Sequence, residues 1–398
     1  MSELPRYRWV LEALIFPLIV YGGLIMLSPS PFLDVIAEEF HITEVQAGLI
    51  IGVFAMAAVI FPLIASIVVD SIGAKKTFLV AAGLQAAFGY LCAIAPNYHS
   101  LLAFRFLLGM GMSFTMPAAS PIVMTWFSAR EYGKVNSLNV VGIMVGITIC
   151  YLLTPRFPDW RTATLAYSTL ALLVALLWLF LGKEPLAEIR KFEPGVSRLA
   201  VIKSKISKVV HIKDILLLCL AQFVAMGFII GMNTWLPKYF MEAYQLSRAT
   251  AAGITGALSL GLVFSLPVGG VLSDKIGLRT PFLKIAGVSG AAALALMITL
   301  PPPLSYLFAF LGGFTILIWG FGGLAIPMEH PEMDFTLISY AVSVILMAGN
   351  IGAVVSPVLI AAVSSTVSMY AAMLMCALLQ VVVTIVGFLL RETGWRAL

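Results

Sequence analysis

Long apolar runs separated by short polar breaks dominate the pattern of this 398-residue chain. Each run holds about 20 residues, the length that an α-helix needs to cross the hydrocarbon layer of a bilayer. Strands are not needed anywhere along the chain. The pattern predicts an all-α membrane protein with about twelve spans, which begin near Trp9, Glu44, Ala74, Leu101, Tyr132, Thr162, Asp214, Ser247, Pro281, Leu304, Phe335 and Val367.

The composition also indicates a membrane protein. Hydrophobic residues make up 61% of the chain and charged residues 11%, whereas about 25% of the residues in a soluble domain are charged. The mean hydropathy is +1.03. The four cysteines fall inside apolar runs without the spacing of a metal site, so we interpret them as small buried hydrophobic residues. No metal or other cofactor is predicted.

The longest polar break divides the predicted spans into two sets of six. It covers residues 183–213 and is rich in Lys and Arg. An apolar stripe from Leu199 to Val209 recurs within it at helical spacing, which indicates a basic amphipathic helix on an anionic membrane surface. A solvated linker is the alternative. We predict a six-helix bundle over residues 1–182, a partly helical linker over 183–213 and a second six-helix bundle over 214–398.

Basic residues are distributed unevenly between the polar breaks. If the N-terminus is cytoplasmic, the inner segments carry 19 Lys and Arg residues, the outer segments carry 4, and Arg105 lies within a span. Cytoplasmic loops of membrane proteins have such an excess of positive charge. We therefore predict a multi-pass protein of the cell (inner) membrane with both termini cytoplasmic. The pI of about 9.0 reflects this topology and not nucleic-acid binding.

A short motif occurs twice, 204 positions apart. Residues 68–76 read VVDSIGAKK, and residues 272–280 read LSDKIGLRT. Both copies lie between the second and third predicted span of their own half. Two six-helix halves related by internal duplication are typical of a large class of membrane transporters.

These motifs resemble signatures of the major facilitator superfamily. The second copy matches the family's loop signature, Gly-x-Leu-x-Asp-(Arg/Lys)-x-Gly-x-(Arg/Lys), and the first copy matches it in part. The sequence of the fourth span matches a second signature, Arg-x-x-x-Gly-x-Gly. The matching residues are Gly270, Leu272, Asp274, Lys275, Gly277 and Arg279 in the second copy, Asp70, Gly73 and Lys75 in the first, and Arg105, Gly109 and Gly111 in the fourth span.

The resemblance implies a secondary active transporter that moves a small solute by alternating access between two pseudo-symmetric bundles. The stretches TWFSAREYGKVNSL and TWLPKYF are similar to the branch that carries small anions such as nitrate, cyanate and monocarboxylates. We therefore expect a small organic or inorganic monoanion as substrate, transport that is coupled to protons or runs as facilitated exchange, and a monomer. A drug or lipid efflux translocator of the same fold and a transporter-like membrane sensor remain as alternatives. No catalytic motif is found, so an enzyme is not predicted.

The duplicated loop is predicted to form a cytoplasmic gate. An aspartate there can lie against the N-terminus of a helix from the other half, whose N–H groups attract negative charge, and a glycine permits the sharp turn. The resemblance implies that such contacts hold the outward-open state. An acidic cluster of Glu329, Glu332 and Asp334 either pairs with basic residues opposite or is a solvated turn. The predicted gate residues are Asp70, Gly73, Lys75, Asp274, Gly277, Arg279 and Glu332.

Arg105 lies about five residues into the fourth span, where an arginine costs roughly 2.5 to 3.5 kcal/mol. Leu311 takes the corresponding position in the second half, so the duplicated scaffold alone does not explain it. Three hypotheses remain: a structural arginine that bonds first-helix carbonyls or Asp34, a proton- or gate-coupling partner of Asp34, and a docking point for an anionic substrate. Glu12, near the inner surface, is expected to extend towards that surface.

Polar and aromatic side chains occur in the spans that line the central path in the family. Aromatic faces and amides suit a small solute that needs a few oriented hydrogen bonds, although packing between helices is the alternative for each. The middle of the second and eighth spans contains no Lys or Arg, which argues against a multivalent anion. The predicted substrate-path residues are Tyr21, Arg105, Gln222, Asn233, Trp319 and Asn350.

Overall fold

The structure is a computed structural model, and it describes residues 6–184, 198–331, 333 and 335–396. The described residues form α-helices joined by short turns and contain no strand, as predicted. Their contacts divide the chain into two compact units, Met1–Lys191 and Phe192–Leu398.

Seven α-helices make up the described part of the first unit. Capping boxes at Thr43, Asn97 and Ser128 begin the third, fifth and sixth of them, because side chains there satisfy N–H groups that have no partner within the helix. The helices are α1 (Arg8–Leu27), α2 (Leu33–Glu39), α3 (Glu44–Ile72), α4 (Ala74–Ala93), α5 (Tyr98–Trp126), α6 (Ala129–Leu153) and α7 (Trp160–Leu181). Two 3₁₀ turns, Ser30–Phe32 and Thr154–Arg156, lie between α1 and α2 and between α6 and α7.

Nine α-helices make up the described part of the second unit. The first of them lies in the predicted linker and packs on a later, long helix of the same unit. They are α8 (Arg198–Val209), α9 (Lys213–Tyr244), α10 (Arg248–Ile276), α11 (Thr280–Thr299), α12 (Leu304–Ile316), α13 (Gly320–Glu329), α14 (Phe335–Thr366), α15 (Met369–Leu379) and α16 (Val381–Leu389).

Eleven helical segments of the described chain are long and apolar enough to cross a membrane. Large apolar side chains such as Phe180 (79% exposed) and Phe388 (70% exposed) lie on their surfaces, which suits contact with lipid tails better than contact with water. The tenth predicted span is present as two shorter helices, α12 and α13. The turn Leu317–Trp319 separates them, and there the N–H of Gly320 bonds the carbonyl of Leu317 at 2.8 Å, a tight three-residue step.

Glycines hold equivalent helix pairs together in the two units. In the first unit, a Cβ on Gly109 of α5 would lie 2.4 Å from the Phe54 carbonyl oxygen of α3. In the second unit, a Cβ on Gly313 of α12 would lie 1.9 Å from the Leu258 carbonyl oxygen of α10. Residues 54 and 258, and residues 109 and 313, are each 204 positions apart, which is the spacing of the sequence repeat. The duplication therefore extends from the motif to the packing of helices.

We expect Gly109→Ala to destabilise the protein. The new methyl group would lie far inside the contact distance of the Phe54 carbonyl, so α5 and α3 must move apart at a cost of about 1 to 3 kcal/mol. Thermal unfolding of the detergent-purified protein measures this loss. Gly83→Ala is the matched control, because nothing lies within 4 Å of its Cβ position. Equal melting temperatures of the two variants would contradict the packing described.

Candidate functional site

The first motif copy forms the connection between α3 and α4. Asp70 is exposed on the last turn of α3, and Gly73 follows with a φ of 89°. Trp178 Nε1 donates to the carbonyl of Lys75 at 3.0 Å, and the N–H of Lys75 donates to Glu184 Oε2 at 3.2 Å. A Cβ on Gly73 would lie only 3.1 Å from the same Glu184 carboxylate. The connection is thus held by residues at the end of α7 and just after it.

The second motif copy surrounds a buried arginine. Arg279 is 6% exposed and forms ion pairs with Asp274 (2.7 Å) and Glu329 (2.5 Å). Its Nη1 also donates to Ser273 Oγ at 2.9 Å. The hydrogen bonds to Glu329 and Asp274 raise the pKa of Arg279 despite its burial, so the cation is permanent. The arginine ties the α10–α11 loop to the end of α13.

Residues after α16 pack on the same loop. The Glu392 carboxylate accepts hydrogen bonds from the N–H groups of Arg279 (2.7 Å) and Thr280 (2.9 Å), so it caps the first turn of α11. Trp395 lies where a Cβ on Gly277 would be, and its Nε1 donates to the Asp274 carbonyl at 3.2 Å. Burial would raise the pKa of Glu392, but the N–H groups that it accepts from lower it below its ordinary value.

The predicted gate residues therefore make their described contacts within single units. Gly73 and Gly277 both have a positive φ, the conformation that a sharp turn between two helices requires. Glu329 pairs with Arg279 of its own unit, whereas Glu332 and Asp334 lie outside the described residues. The predicted contacts of Asp70 and Asp274 with the opposite half stay a prediction.

Arg105 bonds backbone carbonyls. It is 2% exposed, and its Nη1 and Nη2 donate to the carbonyls of Ile25 (2.7 Å) and Met26 (2.5 Å), while its Nε donates to Ile50 (3.2 Å). The guanidinium carbon also lies 4.8 Å from the Phe54 ring centroid. Ile25 and Met26 are in the last turn of α1, whose carbonyls lack partners within the helix and favour a cation. This geometry supports the structural hypothesis for Arg105.

Two of the predicted substrate-path residues, one in each unit, make hydrogen bonds to other residues of their own unit. In the first unit, Tyr21 is fully buried and donates to the carbonyl of Gln85 at 3.2 Å. In the second unit, Asn233 Nδ2 donates to the Ile229 carbonyl at 2.7 Å, and its Oδ1 accepts from Ser259 at 2.8 Å. Tyr21 and Asn233 therefore join helices within their units.

Three further path residues lie in the second unit. Gln222 of α9 is buried, and its Cγ packs where a Cβ on Gly349 of α14 would be. Asn350, the next residue, is half-buried. Trp319 lies in the turn between α12 and α13, is 1% exposed, and its Nε1 has no hydrogen-bond partner. A buried donor without a partner is costly. Trp319 Nε1 would therefore gain from a hydrogen bond to a solute.

The second unit contains a small apolar cavity between α9, α14 and α15. Its volume is about 60 Å³, whereas sites for drug-sized ligands measure roughly 300 to 1,000 Å³. The lining side chains are apolar apart from Ser356 and Cys376. The cavity is therefore too small to hold a drug-sized solute. No group of three or more potential metal ligands occurs among the described residues.

Glu12 does not extend to the surface as predicted. The residue is 3% exposed and lies between α1 and α6, because its side chain turns towards Asn139. Neither oxygen of Glu12 has a hydrogen-bond partner, and the same holds for Asn139 Oδ1. The prediction was wrong because nearness to a helix end was taken to mean access to water.

Several residues of these clusters carry no sequence signal. Glu184, Glu392 and Trp395 belong to no motif, and each acts by bonding to a loop that is distant in the chain. Asn139 lies where α6 becomes apolar, two residues after Ser137 and directly before a long apolar run. A polar residue inside a predicted span is the one signal that could have identified Asn139.

Known proteins with similar sequences are membrane transporters. A family model described as Major Facilitator Superfamily matches residues 14–329. The hexuronate transporter of Bacillus subtilis is 26% identical over 257 residues, which cover 63% of this chain and 60% of that protein. The gentisate transporter of Corynebacterium glutamicum is 25% identical over 356 residues, which cover 85% of this chain and 77% of that protein.

A solved structure with a similar fold is a bacterial homologue of the human lysosomal transporter Spinster. The TM-score is 0.82 at 14% sequence identity, over 98% of this chain and 97% of that one. The match supports the fold that was predicted from the repeated motif. At this identity it carries no information on the transported solute.

We expect Arg105→Lys to destabilise the protein by on the order of 3 kcal/mol. A lysine cannot reach three carbonyls in the fixed geometry of a guanidinium, so at least one buried carbonyl loses a charged donor. Thermal unfolding in detergent measures the loss. Arg391→Lys is the control, because Arg391 is exposed. If both variants melt at the same temperature, Arg105 does not stabilise the end of α1.

We expect Glu392→Gln to make the free energy of unfolding depend less on pH in the acidic range. A carboxyl whose pKa is lowered by folding stabilises the protein above its ordinary pKa of 4.5, and this contribution is lost as the pH falls through the lowered value. The variant should be less stable than the unmodified protein at neutral pH, and the difference should shrink on acidification. Glu242→Gln, at an exposed carboxyl of α9, is the control. An unchanged profile in Glu392→Gln would refute the cap.

Proposed function

The chain belongs to the Major Facilitator Superfamily, and we propose that it moves a small organic or inorganic monoanion across the cell membrane by alternating access. The family and the two named relatives are transporters, which agrees with the prediction that the chain is not an enzyme. It is a multi-pass membrane protein. Gentisate and hexuronates, which those relatives carry by name, are monocarboxylates, and this supports a monoanion as the solute.

The break between α12 and α13 is the observation that carries the preference for an anion. Trp319 lies in this break, and its buried indole N–H has no partner. Helix α13 begins at the next residue, so the positive end of its dipole lies at this turn, although the N–H groups of Gly320 and Gly323 already bond the carbonyls of Leu317 and Trp319. Interrupted helices in transporters point such N-termini at anionic groups of the substrate. A donor without a partner beside a positive helix end suits one carboxylate or one nitrate-like oxyanion.

A single negative charge fits the membrane-spanning part better than several. Helices α3 and α10 carry charged residues only in their first and last turns. Several negative charges on the solute would need more fixed cations for compensation.

The cavity between α9, α14 and α15, at about 60 Å³, lends no support to a drug or lipid translocator.

We propose that both termini are cytoplasmic and that the two loops of the repeat gate the cytoplasmic side. The gate residues are those predicted from the sequence, and the bonds of Arg279 and Glu392 support a rigid loop that a gate can close against. Uptake is proposed to be coupled to protons, with Asp34 and Arg105 as the predicted pair, and the protein is proposed to act as a monomer. The carbonyl bonds of Arg105 favour its structural role over substrate docking.

Uptake into proteoliposomes tests this function. We expect labelled gentisate, a hexuronate or nitrate to enter, while glucose and leucine stay outside, and an acidic exterior should accelerate uptake of the accepted anion. Trp319→Phe keeps an aromatic side chain, although a smaller one, and removes the N–H. A hydrogen bond to a charged group is worth about 1.5 to 3 kcal/mol, so the apparent affinity should fall about tenfold to a hundredfold.

Trp9→Phe is the matched control for this experiment. The indole of Trp9 is 52% exposed, so the same substitution there should leave the apparent affinity unchanged. Uptake of the neutral solutes in preference to all three anions would refute the proposed substrate class. If Trp319→Phe takes up an anion with unchanged apparent affinity, the indole is not part of the substrate site.

A further inference from the structure

Two buried polar side chains lie next to each other between α1 and α6. Glu12 is 3% exposed and Asn139 is 1% exposed. The Asn139 amide is directed at the Glu12 carboxylate, yet both Glu12 oxygens and Asn139 Oδ1 lack a hydrogen-bond partner. An ionised carboxylate has only acceptors, whereas a carboxylic acid has one O–H donor. One added proton therefore removes the buried charge of Glu12 and provides a donor for Asn139 Oδ1.

We propose that Glu12 and Asn139 form a proton-binding site and that the proton is bound in this conformation. An ionised carboxylate buried without a partner costs several kcal/mol, and such groups become neutral instead. The neutral acid donates its proton to Asn139 Oδ1 and keeps its second oxygen as an acceptor. The site thereby gains a hydrogen bond and loses a buried charge in the same step.

The cation one turn away on α1 is engaged elsewhere. Arg8 lies one turn before Glu12 on α1, close enough for an i,i+4 pair. Its Nη2 is instead 3.1 Å from Glu131 Oε1 at the start of α6, and its Nε has no partner. Glu131 accepts hydrogen bonds from the N–H and hydroxyl of Ser128, which lower the pKa of Glu131. Glu131 is thus the anion that holds Arg8, and Glu12 is left without a counter-charge.

Other charged groups near this end of α1 are few. After α7, Lys183 lies over the Tyr7 ring, with its Nζ 3.9 Å from the ring centroid, and Glu184 bonds the N–H of Lys75. Helices α5, α6, α7 and α3 pack against α1. On α6, Lys134 is exposed, and the side chain of Arg130 lies outside the described part. The segments 106–126 of α5 and 162–181 of α7 contain no charged residue, and α3 contributes only the exposed Asp70 at its end. The environment therefore favours the neutral form of Glu12.

The duplicated scaffold does not require this pair. The positions 204 residues later are Leu216 on α9 and Ser343 on α14, and both are exposed. The α1–α6 packing is nevertheless repeated, because Gly146 meets the Val20 carbonyl in the first unit as Gly352 meets the Phe223 carbonyl in the second. Glu12 and Asn139 are thus additions to a packing arrangement that is complete without them.

Release of the proton changes the balance around Arg8. The carboxylate that remains is a buried anion one turn from Arg8, and it competes with Glu131 for that cation. Proton release therefore favours a rearrangement where α1 and α6 begin, which links the charge of Glu12 to the conformation of the first unit. This inference deepens the proposed proton coupling and rests on it only for the link to transport.

Infrared difference spectroscopy of the full-length protein in lipid tests the site without any transported solute. We expect the unmodified protein minus Glu12→Gln to show, at neutral pH, the carbonyl-stretch band of one protonated carboxylic acid per chain, which disappears on alkalinisation. Asn139→Leu should keep the band and move it towards the frequency of a free acid. Glu131→Gln should release Arg8 to Glu12, so the band should disappear at a lower pH.

Glu38→Gln is the control, because Glu38 is exposed and its removal should leave the band unchanged. A spectrum without the acid band at neutral pH, or an acid band that Asn139→Leu does not move, overturns the inference. If Glu12→Gln does not fold, the Asn139→Leu shift and the Glu131→Gln titration still decide. A band without anion uptake would refute only the transport proposal, and pH-driven uptake without the band would refute only this site.

Discussion

Close contact between a glycine of one helix and a carbonyl of its neighbour determines how each unit is built. Lipid is as apolar as the helix surfaces, so helices in a membrane associate through close packing and buried hydrogen bonds. Gly109 brings α5 onto α3 at Phe54. Arg105 lies one turn earlier on α5 and donates to Ile50, one turn earlier on α3. The motif Arg-x-x-x-Gly is therefore one structural element, in which the glycine brings the helices close enough for the arginine to reach α1.

The difference between the halves at Arg105 follows from the first helix of each. Helix α1 ends at Leu27 and gives way to a 3₁₀ turn before α2, whereas α9 runs unbroken from Lys213 to Tyr244. A broken helix leaves carbonyls without partners inside an apolar bundle, and a continuous one does not. Arg105 donates hydrogen bonds to the carbonyls at the break after α1. The continuous helix α9 leaves no such carbonyls, so an apolar residue, Leu311, can take the corresponding position. The second half keeps Gly313, because helix packing needs the glycine in both halves.

The sequence predicted what depends on local pattern and repetition. Apolar run length placed the spans, and the duplicated Asp-x-Ile-Gly motif identified two loops whose glycines both have a positive φ. The break at Leu317–Trp319 was missed because its residues are as apolar as the helices beside them. Glu184, Glu392 and Trp395 were missed because their roles depend on contacts with loops more than 100 residues away. Glu12 was misjudged because burial depends on how α6 packs on α1, and its own segment holds no information on that.

The departures from the duplicated scaffold differ in kind between the units. The first unit adds a buried carboxyl, Glu12, where the second has Leu216. In the second unit, the tenth span of the chain is interrupted at Trp319, whose uncharged indole N–H has no hydrogen-bond partner. An acid can bind and release a proton, whereas an indole and a helix end can bind an anion without changing their own protonation. On the two proposals made here, a scaffold duplicated for packing carries a group that binds protons in one half and neutral donors that bind an anion in the other.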